Sequence, residues 1–258
     1  MFRNEEITGL LTVRTKSSRL PNKCLLKLGE STVLEHDIAR AKYFGINVII
    51  CTTEDESDDV LETLAEKNKT LIFRGSTENK LKRWLDCADH FNLEDFHTID
   101  ADDPFLDFNL VKKSMEKLRE NQLEVVYPSK RSDQGAATVG YSFDVNSLRK
   151  IVNQIEINQD TEMINPWITN NLVNVALIDE DFQHQNEIRL TLDYYEDYLL
   201  IQVLHKLIGS FENRRAIDEI FVRNPDLFRI NSNMSEVWKS RQRSLEEKNK
   251  PSANGEVR

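Results

Sequence analysis

The chain has 258 residues, of which 39% are hydrophobic and 30% charged, and a formal net charge of -10. That is the balance of an ordinary globular protein with one large α/β core or two small ones, and its acidity argues against a general nucleic-acid binder. No apolar run approaches membrane-spanning length, and the opening residues Met1-Phe2-Arg3-Asn4-Glu5-Glu6 lack the organisation of a signal peptide, so a cytoplasmic protein with no membrane partner is expected.

Short apolar runs bounded by turn residues predict strands at residues 7–13, 47–52, 70–73, 95–99 and 123–127. Helical periodicity lies between them, at 32–43, 57–67, 78–90 and 110–121. Such alternation predicts a mostly parallel sheet with right-handed crossovers and helices on both faces. Beyond Pro128 the pattern loosens: strands are expected at 137–143 and 173–177, a helix at 146–154, and a strand at 188–192 returning to the main sheet. Helices follow at 195–207 and 212–223, and residues 241–258 form a polar tail expected to be loosely held. Residues 1–240 then make one domain, with an insert at about 128–187. Cys24, Cys51 and Cys87 are odd in number and far apart, which suits reduced thiols, and no Cys/His set has zinc-ligand spacing.

Three segments carry candidate chemistry. The loop after the first strand, residues 14–27, holds five basic side chains and no acidic one in a chain of opposite net sign. A cationic loop at the carboxyl end of a first strand is where open α/β sheets bind phosphorylated ligands, although a solvated basic loop reads the same way. The second is Asp100-Ala101-Asp102-Asp103-Pro104, where a strand runs into carboxylates suited to Mg²⁺ or into a plain acidic turn. In the third, Arg189-Leu190-Thr191-Leu192-Asp193, a run ends in an aspartate that either caps the next helix or meets the earlier acids around one metal ion. The run Glu54-Asp55-Glu56-Ser57-Asp58-Asp59 reads as helix capping and solvated charge.

With these residues in view, Arg14-Thr15-Lys16-Ser17-Ser18-Arg19-Leu20-Pro21-Asn22-Lys23 resembles the N-terminal signature of cytidylyltransferases that make CMP-activated 2-keto-3-deoxy sugar acids, the CMP-Kdo and CMP-sialate synthetases. The nearest likeness is to the subgroup named for spore-coat polysaccharide biosynthesis. It continues, in family order, through Leu34-Glu35-His36, Cys51-Thr52-Thr53, Phe73-Arg74-Gly75-Ser76, Asp102-Asp103-Pro104-Phe105 and Arg189-Leu190-Thr191-Leu192-Asp193-Tyr194-Tyr195-Glu196-Asp197, spanning about residues 7–208. The ordered set is specific for the family and not for the sugar.

The resemblance implies a Rossmann-like nucleotidyltransferase fold that binds CTP, with an inserted dimerisation or acceptor arm and a homodimer. It implies that Arg14, Ser17, Ser18, Arg19 and Lys23 hold the triphosphate, and that Arg74, Gly75 and Ser76 lie near base and ribose. Asp102 and Asp193 match the family's Mg²⁺ aspartates, and Arg14, Lys23 and Asp102 would carry catalysis. The partners implied are CTP and an acidic sugar acceptor, whose carboxylate could meet Lys130 or Arg131. The sequence departs from the family at Ala101 and Asn22, both in place of glycine, and at Ala136-Ala137-Thr138-Val139, where an acidic pair is missing. Two alternatives stay open: a relative using another nucleotide or a non-sugar-acid acceptor, and a weakened member that binds without turnover. A dehydrogenase or P-loop reading fails for want of the glycine fingerprints.

Overall fold

The computed structural model describes residues 6–156, 159–180 and 188–248, with side chains through Arg241. In chain order the strands are β1 (Thr8–Thr12), β2 (Lys27–Leu28), β3 (Ser31–Thr32), β4 (Asn47–Thr53), β5 (Leu71–Gly75), β6 (Asp95–Asp100), β7 (Val125–Tyr127), β8 (Ser142–Asp144) and β9 (Val175–Leu177). The helices are α1 (Val33–Tyr43), α2 (Val60–Lys67), α3 (Lys80–His90), α4 (Phe108–Glu120), α5 (Val145–Val152), α6 (Asn165–Asn171), α7 (Tyr195–Ile208), α8 (Arg214–Arg223) and α9 (Ser232–Lys248). Seven strands form one sheet in the order β5-β4-β1-β6-β8-β7-β9, and β2 and β3 make a separate hairpin.

β1 lies inside the sheet, between β4 and β6, because its residues are apolar on both faces: Leu10 joins one core layer and Leu11 the other. Leu11 packs with α1, α2 and α4 through Ile38, Leu61 and Met115, whereas Leu10 packs with α3 and α5 through Trp84 and Leu148. A third cluster, built from α7, α8 and residues such as Phe105, Leu190 and Leu192, sits beside them. Helix starts are fixed locally. The Thr32 hydroxyl and the Glu35 carboxylate cap α1 reciprocally, and Asn79, Asp107 and Asp144 accept backbone N–H bonds at the starts of α3, α4 and α5. The register sets Thr12 opposite both Cys51 and Asp100, so the loops leaving β1, β4 and β6 emerge along one edge of the sheet.

The sheet is parallel except at β8, which pairs antiparallel with β6 and β7. Residues 188–192 are not a strand: the N–H groups of Leu190 and Thr191 go to the Gly135 carbonyl, and that of Leu192 goes to the Asp102 carbonyl. The alternation that suggested a strand arises because Ile188, Leu190 and Leu192 are buried in the third cluster. Glu187 lies outside the described residues. The segment expected as an insert adds β8 and β9 to the main sheet, and Tyr127, Tyr141 and Trp167 pack in its core layer. α6, α9 and the β2–β3 hairpin were not expected, and α9 runs to Lys248, into the segment taken as a tail. Residues 249–258 lie outside the described ones. Among the described residues no helix is long and apolar enough to cross a membrane. All three cysteines are buried free thiols.

One buried histidine ties β8 to β6. The His97 Nε2 accepts the Gly140 N–H at 3.2 Å, and its Nδ1 lies 2.8 Å from the Ser142 hydroxyl. Gly140 is demanded by this close approach, because a Cβ there would stand 2.2 Å from the Thr98 carbonyl oxygen. The ring must be neutral to accept from an N–H, and burial holds its pKa down at about 3. A histidine whose folded pKa is depressed contributes fully above its unfolded value and loses that contribution as pH falls through it. Its share of stability therefore drops by about 2 kcal/mol between pH 7 and pH 5. Urea titrations should show that this part of the pH dependence vanishes in His97→Gln; an unchanged slope would mean that His97 charges freely.

Candidate active site

The loop after β1 is shaped by an acid that the sequence reading gave to capping. Thr15 donates its N–H and its hydroxyl to Asp58 Oδ1 at 2.7 and 2.8 Å, and the hydroxyls of Thr52 and Thr53 donate to Oδ2 at 3.0 and 2.5 Å. Asp58 is buried, and these hydrogen bonds hold its carboxyl below the usual range against the opposing effect of burial. The loop closes at Asn22, whose φ of 55° is left-handed and whose N–H returns to the Thr15 carbonyl at 3.1 Å. Asparagine tolerates that conformation, so its replacement of glycine costs little.

Across from this loop, β6 ends beside β1, with the Ala101 N–H bonded to the Thr12 carbonyl at 3.1 Å. The Asp102 carbonyl accepts the Leu192 N–H at 2.7 Å, and that single backbone bond brings Asp193 to Asp102. Lys23 Nζ stands between the two carboxylates, 2.5 Å from Asp102 and 3.0 Å from Asp193. Arg19 donates to the same Asp193 oxygen at 2.5 Å, and Arg189 donates to the other at 2.9 Å. Asp193 does not cap α7, because Asp197 accepts the N–H groups of Asp193 and Tyr194 at 2.9 Å each. Asp197 and the buried Arg189 form a rigid backing, with Arg189 Nε 3.0 Å from Asp197.

The electrostatics follow from this packing. Burial alone would lower the Lys23 pKa, but Asp102 and Asp193 outweigh it and keep the ammonium charged well above its ordinary range. Burial opposes ionisation of Asp102, yet Lys23 pulls its carboxyl below normal. Asp103 has no such cation: burial and the neighbouring Asp102 and Asp100 push it well up.

Arg14, Ser17, Ser18, Arg19, Lys23, Asp102 and Asp193 all line one cavity of about 500 Å³, together with Ala101. Asp100 lines it too, as do Lys80, Arg83 and Glu162, which the sequence reading missed, and Arg14 lies 3.5 Å from Glu162. Arg74, Gly75 and Ser76 line a neighbouring cleft of about 340 Å³ instead, which shares Thr77 and Glu78 with the first. The Arg74 guanidinium is engaged with the carbonyls of Thr53 and Asp55 at 2.9 Å and with Asp59 at 2.7 Å. Lys130 and Arg131 do not line the cavity: Lys130 is exposed, and Arg131 is paired with Glu180 and Asp218. The stretch Ala136-Ala137-Thr138-Val139 is buried, and the carbonyls of Ala136 and Ala137 accept from Arg214. Among the described residues no group of three or more histidine, cysteine, aspartate or glutamate side chains is placed to hold a metal ion.

A mostly parallel sheet with a cationic loop facing an aspartate just past a strand end, joined by a second from a neighbouring segment, is the architecture of an α/β nucleotidyltransferase. The chain belongs to the cytidylyltransferase family, whose sequence profile matches residues 8–248, and it is accordingly an enzyme of CTP-dependent nucleotidyl transfer. It is 29% identical over 235 residues to an uncharacterized protein of Methanocaldococcus jannaschii, covering 89% of this chain and 96% of the relative. It is 26% identical over 237 residues to the spore coat polysaccharide biosynthesis protein SpsF of Bacillus subtilis, covering 86% and 96%. Among solved structures, a cytidylyltransferase from Leptospira borgpetersenii shares the fold with a TM-score of 0.76 at 24% identity, covering 86% of this chain and 96% of that one. The CMP:2-keto-3-deoxy-manno-octonic acid synthetase complexed with CTP shares it with a TM-score of 0.62 at 14% identity, over 78% and 99% of the two chains.

Proposed function

We propose that this enzyme transfers CMP from CTP to a 2-keto-3-deoxy sugar acid, with Mg²⁺ and release of pyrophosphate, for the synthesis of a surface polysaccharide or glycoconjugate. The observation that carries this reading is the convergence of Asp102 and Asp193 on the Lys23 ammonium, inside a cavity walled by the cationic loop. The names of the SpsF relative and of the CTP-bound synthetase point to the same chemistry and pathway class.

The donor set fits Mg²⁺: Asp102 and Asp193, already gathered around the Lys23 positive charge, offer the hard oxygens this ion prefers and would hold it together with oxygens of the substrate. Mg²⁺ bound to Asp102 and Asp193 would polarise the α-phosphorus and lower the pKa of the attacking hydroxyl. Arg14, Arg19 and Lys23 neutralise the β- and γ-phosphates as pyrophosphate leaves, and loop N–H groups and the hydroxyls of Ser17 and Ser18 orient them. Arg189 and Asp197 hold Asp193 in place throughout, so catalysis is chiefly positioning and electrostatics. With Arg131 committed to Glu180 and Asp218, a cavity cation suited to the acceptor carboxylate is Lys80, which lies 3.4 Å from Asp100 and 5.0 Å from the centre of the Trp84 ring. Two copies of the chain are expected to form a homodimer.

Pyrophosphate release measured with each nucleoside triphosphate and a panel of 2-keto-3-deoxy sugar acids tests the reading. Release should require CTP, one of the acids and Mg²⁺, and a chelator should stop it. Equal release with another triphosphate, or with acceptors that lack a carboxylate, would overturn the substrate assignment.

A further inference from the structure

We infer that helix α9 supplies an additional nucleotide ligand, Arg241, which binds the terminal phosphates of CTP alongside the loop cations. The inference rests on the reading of the loop as the triphosphate site. Three observations carry it.

First, Arg241 and Trp238 line the same cavity as Arg14, Ser18, Lys23 and Asp102, and their spacing of three puts them on one face of α9. Second, Arg241 Nη2 donates to the Ser18 hydroxyl at 2.9 Å, across 223 positions of sequence. A guanidinium has five N–H donors in a planar fork, so the one bond to the Ser18 hydroxyl leaves donors beside the loop that could take two phosphate oxygens at once. Third, the root of the helix is fixed. Asn231, buried just before α9, donates to the Arg189 carbonyl at 3.0 Å and to Asp197 at 2.8 Å. Those are the residues that back Asp193, so α9 springs from the support of one aspartate. Nine residues at a rise of about 1.5 Å each carry Arg241 some ~13 Å from the helix start, to the loop rim.

This arrangement predicts a selective effect. Arg241 should matter for ligands with β- and γ-phosphates and not for CMP. Trp84 is buried and Trp167 packs in a core layer, so Trp238 is the fluorophore placed to report binding. Titrations of full-length protein with CTP, pyrophosphate and CMP, followed by Trp fluorescence and calorimetry, should give about tenfold weaker binding of CTP and pyrophosphate in Arg241→Gln. CMP affinity should be unchanged, and Arg241→Lys should recover part of the loss. CTP affinity within twofold of wild type in Arg241→Gln would overturn the inference, as would equal weakening of CTP and CMP, which marks a merely structural contact. If the wild-type protein itself fails to bind CTP, the reading of the loop falls as well; an indifferent Arg241→Gln in a protein that binds CTP removes only this inference.

Discussion

Asp102→Asn should lower CTP turnover by roughly 10²–10³-fold, the loss usual when one preorganised charged group is removed from a transition state. The amide has nearly the same shape and its oxygen still accepts from Lys23, while the ammonium keeps its ion pair with Asp193 at 3.0 Å. What disappears is the negative charge that balances the loop cations and that, in the proposed mechanism, draws a divalent ion. The fold should survive, because the backbone bonds that hold this corner come from Ala101 and Leu192 and not from the carboxylate. Pyrophosphate release and a thermal melt, measured together, separate the two effects: activity collapses while the melting temperature moves by a few degrees at most. Near-normal turnover would remove Asp102 from the mechanism.

Arg189→Leu should act in the opposite proportion, with stability lost first and activity as a consequence. Arg189 is 2% exposed and meets both Asp193 and Asp197, while Asp197 is fully buried. Deleting the cation strands carboxylates in a low-dielectric interior, which typically costs about 3–5 kcal/mol. For a chain of this size that corresponds to a fall in melting temperature on the order of 10 °C. Differential scanning calorimetry checks it, and a fall of less than about 2 °C would mean that Lys23, Arg19 and water compensate the buried charges. Pairing the change with Asp197→Leu should restore much of the stability, since the stranded acid goes with its partner.

Much of the fold was legible because its signals are local. The runs that became β1, β4, β5 and β6 are apolar on both faces, and Thr32, Asn79 and Asp107 announce helix starts in their own neighbourhoods. The mostly parallel sheet was expected, but that β8 is the reversed strand was not legible, because strand direction is decided by tertiary contacts, here the bonds around His97 and Gly140, and not by composition. Residues 188–192 imitated a strand because burial on one side produces the same alternation whether the partner is a sheet or a helix cluster. The basic loop and Asp102 stood out by charge, whereas Asp58 was hidden in an acidic run whose other members are ordinary caps and surface charges. Arg189 gave no signal of its own, since nothing in a sequence tells an arginine that backs an aspartate from one that faces water. Arg241 was invisible for a different reason: the polar composition of the chain end masks a helix whose anchoring residue, Asn231, is an unremarkable amide.

The bond from Leu192 to the Asp102 carbonyl has a consequence for the order of assembly during synthesis. Lys23 and Asp193 are 170 positions apart, so a ribosome-bound chain that has formed its first four parallel strands still lacks half of the acidic pair. Contacts that close such long loops form late, after local structure is in place. In the proposed mechanism, competence to transfer a nucleotide thus arrives only when the last third of the polypeptide docks, and unfinished chains are silent.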